Sequence, residues 1–155
     1  PMRSLLLSKA FYFTFAVILC IVGCAFGSIT VDDLDQSLMD IQKIVSDSLP
    51  MGKRAVSPNG REFFSEYFVL VESKARTASK AQVRYYAHIY ILGDQRPYQV
   101  KGLVRKEVRE KTSSGYEYYD AGEESRLSSL MMKKLKARLT RGREERNVID
   151  DFRVF

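Results

Sequence analysis

Between Ala81 and Val108 the chain alternates apolar and polar side chains almost without a break, and no other feature limits the fold as much. Ala81, Val83, Tyr85, Ala87, Ile89 and Ile91 share one parity, while Gln82, Arg84, Tyr86, His88 and Tyr90 share the other. Successive strand residues point to opposite faces, so the pattern predicts a strand with one buried side. Gly93-Asp94-Gln95-Arg96-Pro97 then turns the chain. Tyr98, Val100, Gly102, Val104 and Val108 resume the apolar parity against Lys101, Arg105, Glu107 and Arg109, which predicts a second long strand beside the first.

The flanking segments extend this hairpin. Ser57-Pro58-Asn59-Gly60 has turn chemistry, since proline fixes φ and Asn-Gly tolerates positive φ. Phe63 to Val71 is aromatic and branched on both parities and reads as one strand, followed by a connection over Ser73 to Lys80. Ser113-Ser114-Gly115 turns into a short aromatic strand, Tyr116 to Tyr119.

A helix is expected over Thr30 to Ser48, where Val31, Leu34, Leu38, Ile41 and Val45 recur at spacings of three and four. Asp32, Asp33 and Asp35 would cap its first turn, a commoner role for such a cluster than calcium binding when the glycine and distal glutamate of a calcium loop are missing. A second helix is expected from the Asp120/Glu123 capping pattern onward, with Leu127, Leu130, Met131, Leu135 and Leu139 on its apolar stripe. It should end near Gly142, leaving Val148 to Phe155 as an edge strand. The expected fold class is α+β: an antiparallel β-meander of about four strands with an N-terminal and a C-terminal helix gathered on one sheet face.

Ahead of this domain lies a leader. Behind a lone Pro1, left out of the fold reading, come Met2, Arg3 and Lys9, then the apolar run Phe11 to Gly23. A basic start and an h-region of this length describe a secretory signal better than a membrane span, which needs ~20 apolar residues. Ile21-Val22-Gly23-Cys24 resembles the lipobox of bacterial lipoproteins, whereas Cys20 follows bulky Leu19 and does not fit it. The resemblance implies a signal peptide at 1–23, a single domain at 24–155, and acylation of Cys24. Two or more chains there would make a stable membrane anchor. It also implies the bacterial envelope, at the outer membrane facing the periplasm, because Ala25 follows the cysteine rather than a retention aspartate. The alternative is cleavage after Gly27 at Ala25-Phe26-Gly27, with Cys24 an ordinary leader residue.

No cysteine follows Cys24, so the exported domain must stand on its core without a disulfide. About 130 residues suffice for one such core. The sequence carries no His-Glu-x-x-His, Gly-x-Ser-x-Gly, Cys-x-x-Cys or phosphate-binding glycine loop, and the reading assigns no catalytic residue, metal or cofactor. His88, the one histidine, reads as a packing residue among strand tyrosines.

Subtracting the leader's Arg3 and Lys9 from the formal charge of +6 leaves +4. That excess concentrates on the second helix and its exit, while the first helix region is acidic. At about 100° per residue Arg126, Lys133, Lys136 and Arg141 point away from the apolar stripe, and they are the candidate contacts for an anionic glycolipid, an envelope polymer or an acidic protein. The plain alternative is a solvated helix face. Arg84, Tyr86, Tyr90, Lys101 and Arg105 resemble the aromatic-plus-basic mix of sheets that read nucleic acid, but an exported domain meets little of it.

Residues 81–139 also look similar to the small outer-membrane lipoproteins that assist lipopolysaccharide assembly: two long strands about a glycine-containing turn, an aromatic strand and a basic helix. A helix followed by a meander is similar to cystatin-like folds as well, though the Gln-x-Val-x-Gly inhibitory motif is missing. These features together lead to the expectation of a non-enzymatic lipoprotein that binds a protein or an anionic envelope polymer. The alternative is an exported ligand-pocket domain or an unrecognised hydrolase.

Overall fold

The computed structural model describes residues 29–78 and 80–151, with 142–151 as backbone alone. The expected signal peptide at 1–23, Cys24 and the last four residues lie outside the described residues. The expected hairpin is the spine of the molecule: β6 (Val83–Leu92) pairs antiparallel with β7 (Tyr98–Thr112), from Val83 opposite Val108 to Leu92 opposite Gln99.

Each of these strands has two different neighbours along its outer edge. β1 (Thr30–Leu34) pairs with the start of β7, and β8 (Gly115–Glu123) with the rest of it. On the other edge β3 (Glu62–Ser65) pairs with β6 around His88 to Tyr90, and β4 (Phe68–Val71) pairs with it at Tyr85. β2 (Lys53–Val56) extends β3, and β5 (Lys74–Thr77) extends β4. The fold is α+β with an antiparallel sheet, but the described residues form eight strands rather than about four. Phe63 to Val71 breaks into two strands at Glu66-Tyr67, and the supposed connection at Ser73 to Lys80 contains β5. Four-residue strands are too short to display an alternation, which is why the sequence pattern conceals them.

The change of neighbour happens at the same level on both edges, where Ala87 lies opposite Val104. Each outward amide there would be left without a strand partner, and a serine hydroxyl accepts from each. Ala87 N–H donates to Ser65 Oγ at 2.8 Å, and Val104 N–H donates to Ser128 Oγ at 2.9 Å. Glu124 N–H donates in turn to the Val104 carbonyl at 2.8 Å. Buried amides left unpaired are costly, so these two serines let the sheet exchange neighbours without loss.

The first helix is shorter than expected: α1 spans Leu38–Ser48, and Thr30–Leu34 is strand instead. A register shift between Val31 and Leu34 puts two residues three apart on the same buried side, which imitates helical spacing. Asp32, Asp33 and Asp35 therefore do not cap the helix. Ser37 does: its Oγ accepts from Asp40 N–H at 3.2 Å and donates to the Asp40 carboxylate at 2.6 Å.

The second helix, α2 (Ser125–Asp151), starts later and runs further than expected. Asp120 and Glu123 belong to β8, and the chain is still helical through Val148 to Asp151 where an edge strand was expected. α2 lies close against β7 because Gly102 has no side chain: a Cβ there would sit 2.7 Å from Met132 Sδ and 2.9 Å from Met131 Cε.

Both helices cover one face of the sheet, as expected. Ile41 and Val45 of α1 and Met132, Leu135 and Leu139 of α2 share a single core with Ala87, Ile89, Val100 and Val104. Leu130 departs from the predicted stripe and remains 48% exposed.

Candidate functional site

The outward face of α2 is built by the spacing of its apolar residues. Packing Met132, Leu135 and Leu139 into the core turns positions 126, 133 and 141 away from it and puts 136 on the side of the helix, and Arg126, Lys133, Lys136 and Arg141 are all exposed. They span about 22 Å of helix axis at 1.5 Å per residue. Between Ser125 and Arg141 the helix carries six basic residues and no acidic one. Among the described residues, none of the four candidates makes an ion pair or a side-chain hydrogen bond. Arg138, on the flank, is employed differently: its guanidinium donates to the Asp47 carbonyl at 2.9 Å and to Ser48 Oγ at 3.2 Å, tying α2 to the last turn of α1.

The uncovered face of the sheet is the second concentration of charge. Arg84, Tyr86, Tyr90 and Arg105 come together on it, joined by residues that the sequence reading had not assigned. Arg84 forms an ion pair with Glu107 at 2.6 Å, with side chains 19% and 15% exposed. Its guanidinium carbon lies 3.6 Å from the Tyr67 ring centre and 3.5 Å from that of Tyr118. Arg105 pairs with Asp120, which also accepts from Gly122 N–H at 2.7 Å. The Arg105 hydrogen bond, then the Gly122 amide, hold the Asp120 carboxyl below its usual range. Arg54, on the strand that sequence patterning missed, stands 4.3 Å from Tyr67 and 5.5 Å from Tyr86. Burial raises the Tyr86 hydroxyl above its ordinary value, with a smaller push from Asp120.

His88 sits at the centre of that face as the expected packing residue, stacked on Phe64 at 4.1 Å between ring centres. Its Nε2 is 3.0 Å from the Glu62 carboxylate, and its Nδ1 is 2.8 Å from the Tyr90 hydroxyl. These contacts suit the neutral tautomer that donates from Nε2 to Glu62 and accepts at Nδ1 from Tyr90. Burial lowers the imidazole pKa; Glu62 pulls it upward by hydrogen bond and charge and is outweighed, because Glu62 itself is half in solvent.

The chain matches no family model, no curated protein and no solved structure. Guanidinium plates and ion pairs leave the sheet face few bare rings and few unspent charges, an unpromising platform for stacked bases. Among the described residues no three His, Cys, Asp or Glu side chains are placed to hold a metal ion, and no helix is long and apolar enough to cross a membrane.

A third feature is a groove of about 380 Å³ between the end of α1, the flank of α2 and β4. Leu70 of β4 and Leu130 of α2 line it and remain partly exposed. Sequence patterning offered no sign of it, since its walls come from three segments far apart in the chain.

Proposed function

We propose that the chain is a non-enzymatic lipoprotein of the bacterial envelope that holds an anionic envelope polymer or glycolipid on the outer face of α2. A lipid on Cys24 would anchor it at the outer membrane, with the domain facing the periplasm. The observation that carries this reading is the run of six basic residues from Arg126 to Arg141, which makes no ion pair among the described residues. A helix face selected only for stability and solubility gains a few tenths of a kcal/mol from each pair of opposite charges three or four residues apart, and loses a similar amount for like pairs. α2 has Lys133 with Lys136 and Lys134 with Arg138 at those spacings, with no carboxylate between Ser125 and Arg141 to offset them. An anionic ligand would supply the missing sign, and its binding would release counterions and weaken with salt.

The tether and the surface have separate tests. Mass spectrometry of the mature protein should find lipid on Cys24, and Cys24→Ser should leave the chain unprocessed or release it from the membrane fraction; an unmodified mature terminus at Ser28 refutes the anchor. For the surface, Arg126, Lys133, Lys136 and Arg141 are changed together to Gln. Retention on anionic glycolipid vesicles should fall and lose its salt dependence, while unchanged retention refutes the reading. Loss of an acidic protein partner from envelope fractions, with vesicle binding intact, would transfer the site to protein recognition. The rival, an exported domain built around a ligand pocket, is favoured by the apolar groove beside α2.

A further inference from the structure

Leu70 and Leu130 are 41% and 48% exposed although both belong to regular elements packed on the core. They face the same groove. Phe68, Val104, Leu127 and Met131 also line it, together with the cations Lys134 and Arg138. Leu127, Leu130, Met131, Lys134 and Arg138 recur at spacings of three and four, so they form one flank of α2, about 16 Å long from Leu127 to Arg138. The volume, about 380 Å³, lies at the small end of the range for ligand sites of ~300–1,000 Å³.

We infer that this groove binds the acyl chain of a single-chain anionic amphiphile, with its head group beside Lys134. The lining divides into apolar side chains, Phe68, Leu70, Val104, Leu127, Leu130 and Met131, and a polar set that includes the cations Lys134 and Arg138. That division matches a molecule that is itself a hydrocarbon chain with a charged end. Arg138 is already bonded to the Asp47 carbonyl and Ser48, and Asp47 stands on the same rim, so Lys134 is the cation left to meet the head group. Among the described residues Lys134 has no ion-pair partner. Lys134 is not among the four cations of the outer face, so the two sites are tested by different substitutions.

The test uses the full chain carrying Cys24→Ser, so that no acyl group of its own competes, titrated calorimetrically with laurate below its micelle concentration. One saturable site is expected. Decanoate, laurate and myristate should tighten by about tenfold for each two methylenes added, the increment for burying them. Leu130→Asp, at an exposed position that spares the core, should weaken laurate at least tenfold while leaving the thermal melt unchanged. Lys134→Gln should weaken laurate several-fold and leave dodecanol unaffected. Absence of saturation, equal affinity across the three chain lengths, or undiminished binding to Leu130→Asp overturns the site; equal losses of laurate and dodecanol in Lys134→Gln overturn the head-group assignment. The fourfold Gln variant of Arg126, Lys133, Lys136 and Arg141 should bind laurate normally, which separates failure of this site from failure of the envelope-polymer surface.

Discussion

Arg84, on the uncovered face of the sheet, and Lys133, on the outer face of α2, carry the same charge under opposite conditions. Arg84 is mostly enclosed, held by Glu107 and sandwiched between Tyr67 and Tyr118. Lys133 extends into solvent with no partner among the described residues. The sheet uses its cations to seal an otherwise bare face, whereas Arg126, Lys133, Lys136 and Arg141 on the helix have no ion-pair partner among the described residues. Density of basic residues is therefore a poor guide to a binding surface here, and compensation is the better one.

The widest contrast is within α2 itself. Leu135 is fully buried although Lys136 beside it and Lys133 two residues before it are exposed, so Leu135→Ala should cost ~2–5 kcal/mol in urea unfolding whether or not the helix binds anything. A cost below 1 kcal/mol would mean that the inner and outer faces of α2 are wrongly assigned.

Next comes the sheet. Arg84→Met should destabilise by about 2–3 kcal/mol, because it strands a mostly buried Glu107 and removes the plate between two tyrosines; the fully buried case is larger, and residual exposure reduces it. Adding Glu107→Gln should recover part of that loss, as expected of a coupled pair. Arg84→Met without effect would reduce the sheet face to a solvated surface like any other.

His88 gives a smaller, pH-dependent effect. Its native pKa is held below the unfolded value near 6.5, chiefly by burial. As pH falls through that value the unfolded chain takes up a proton first, so stability should decline below about pH 6.5 until the native imidazole also titrates. His88→Gln should remove that part of the pH dependence. A slope of the opposite sign would mean that Glu62, not burial, dominates the site.

The smallest change in stability is expected from the fourfold Gln variant of Arg126, Lys133, Lys136 and Arg141. Each exposed position should contribute within about 0.5 kcal/mol. The same variant should nonetheless lose most of its salt-sensitive binding to anionic vesicles. If it unfolds instead, those cations are structural, and the distinction between the two faces fails.

How far the sequence foretold this arrangement differs from element to element. The β6–β7 hairpin was legible because the alternation from Val83 to Ile91 and from Tyr98 to Val104 leaves no other periodicity open. The inward side of α2 was legible too, since Leu135 and Leu139 recur at helical spacing, and the four cations named from that spacing are exposed. The strand at Thr30–Leu34 was misread because a bulge reproduced a spacing of three. β2 and β5 were missed because four residues, mostly exposed, carry no pattern. Arg54 was overlooked with β2, and the site around His88 was seen only as tyrosines of one parity.

Local periodicity thus specified which residues turn inward along each long element, because side-chain direction is a property of the helix or strand alone. It also located the run of six cations on α2, which has no carboxylate from Ser125 to Arg141. Which charges are neutralised across the sheet, which serines accept the amides of Ala87 and Val104, and which leucines meet across a groove were decided by tertiary packing. Those partners lie 23, 22, 24 and 60 positions apart for Arg84–Glu107, Ser65–Ala87, Val104–Ser128 and Leu70–Leu130. Nothing in one segment records the register of another, so such contacts exist only once the hairpin has chosen its neighbours.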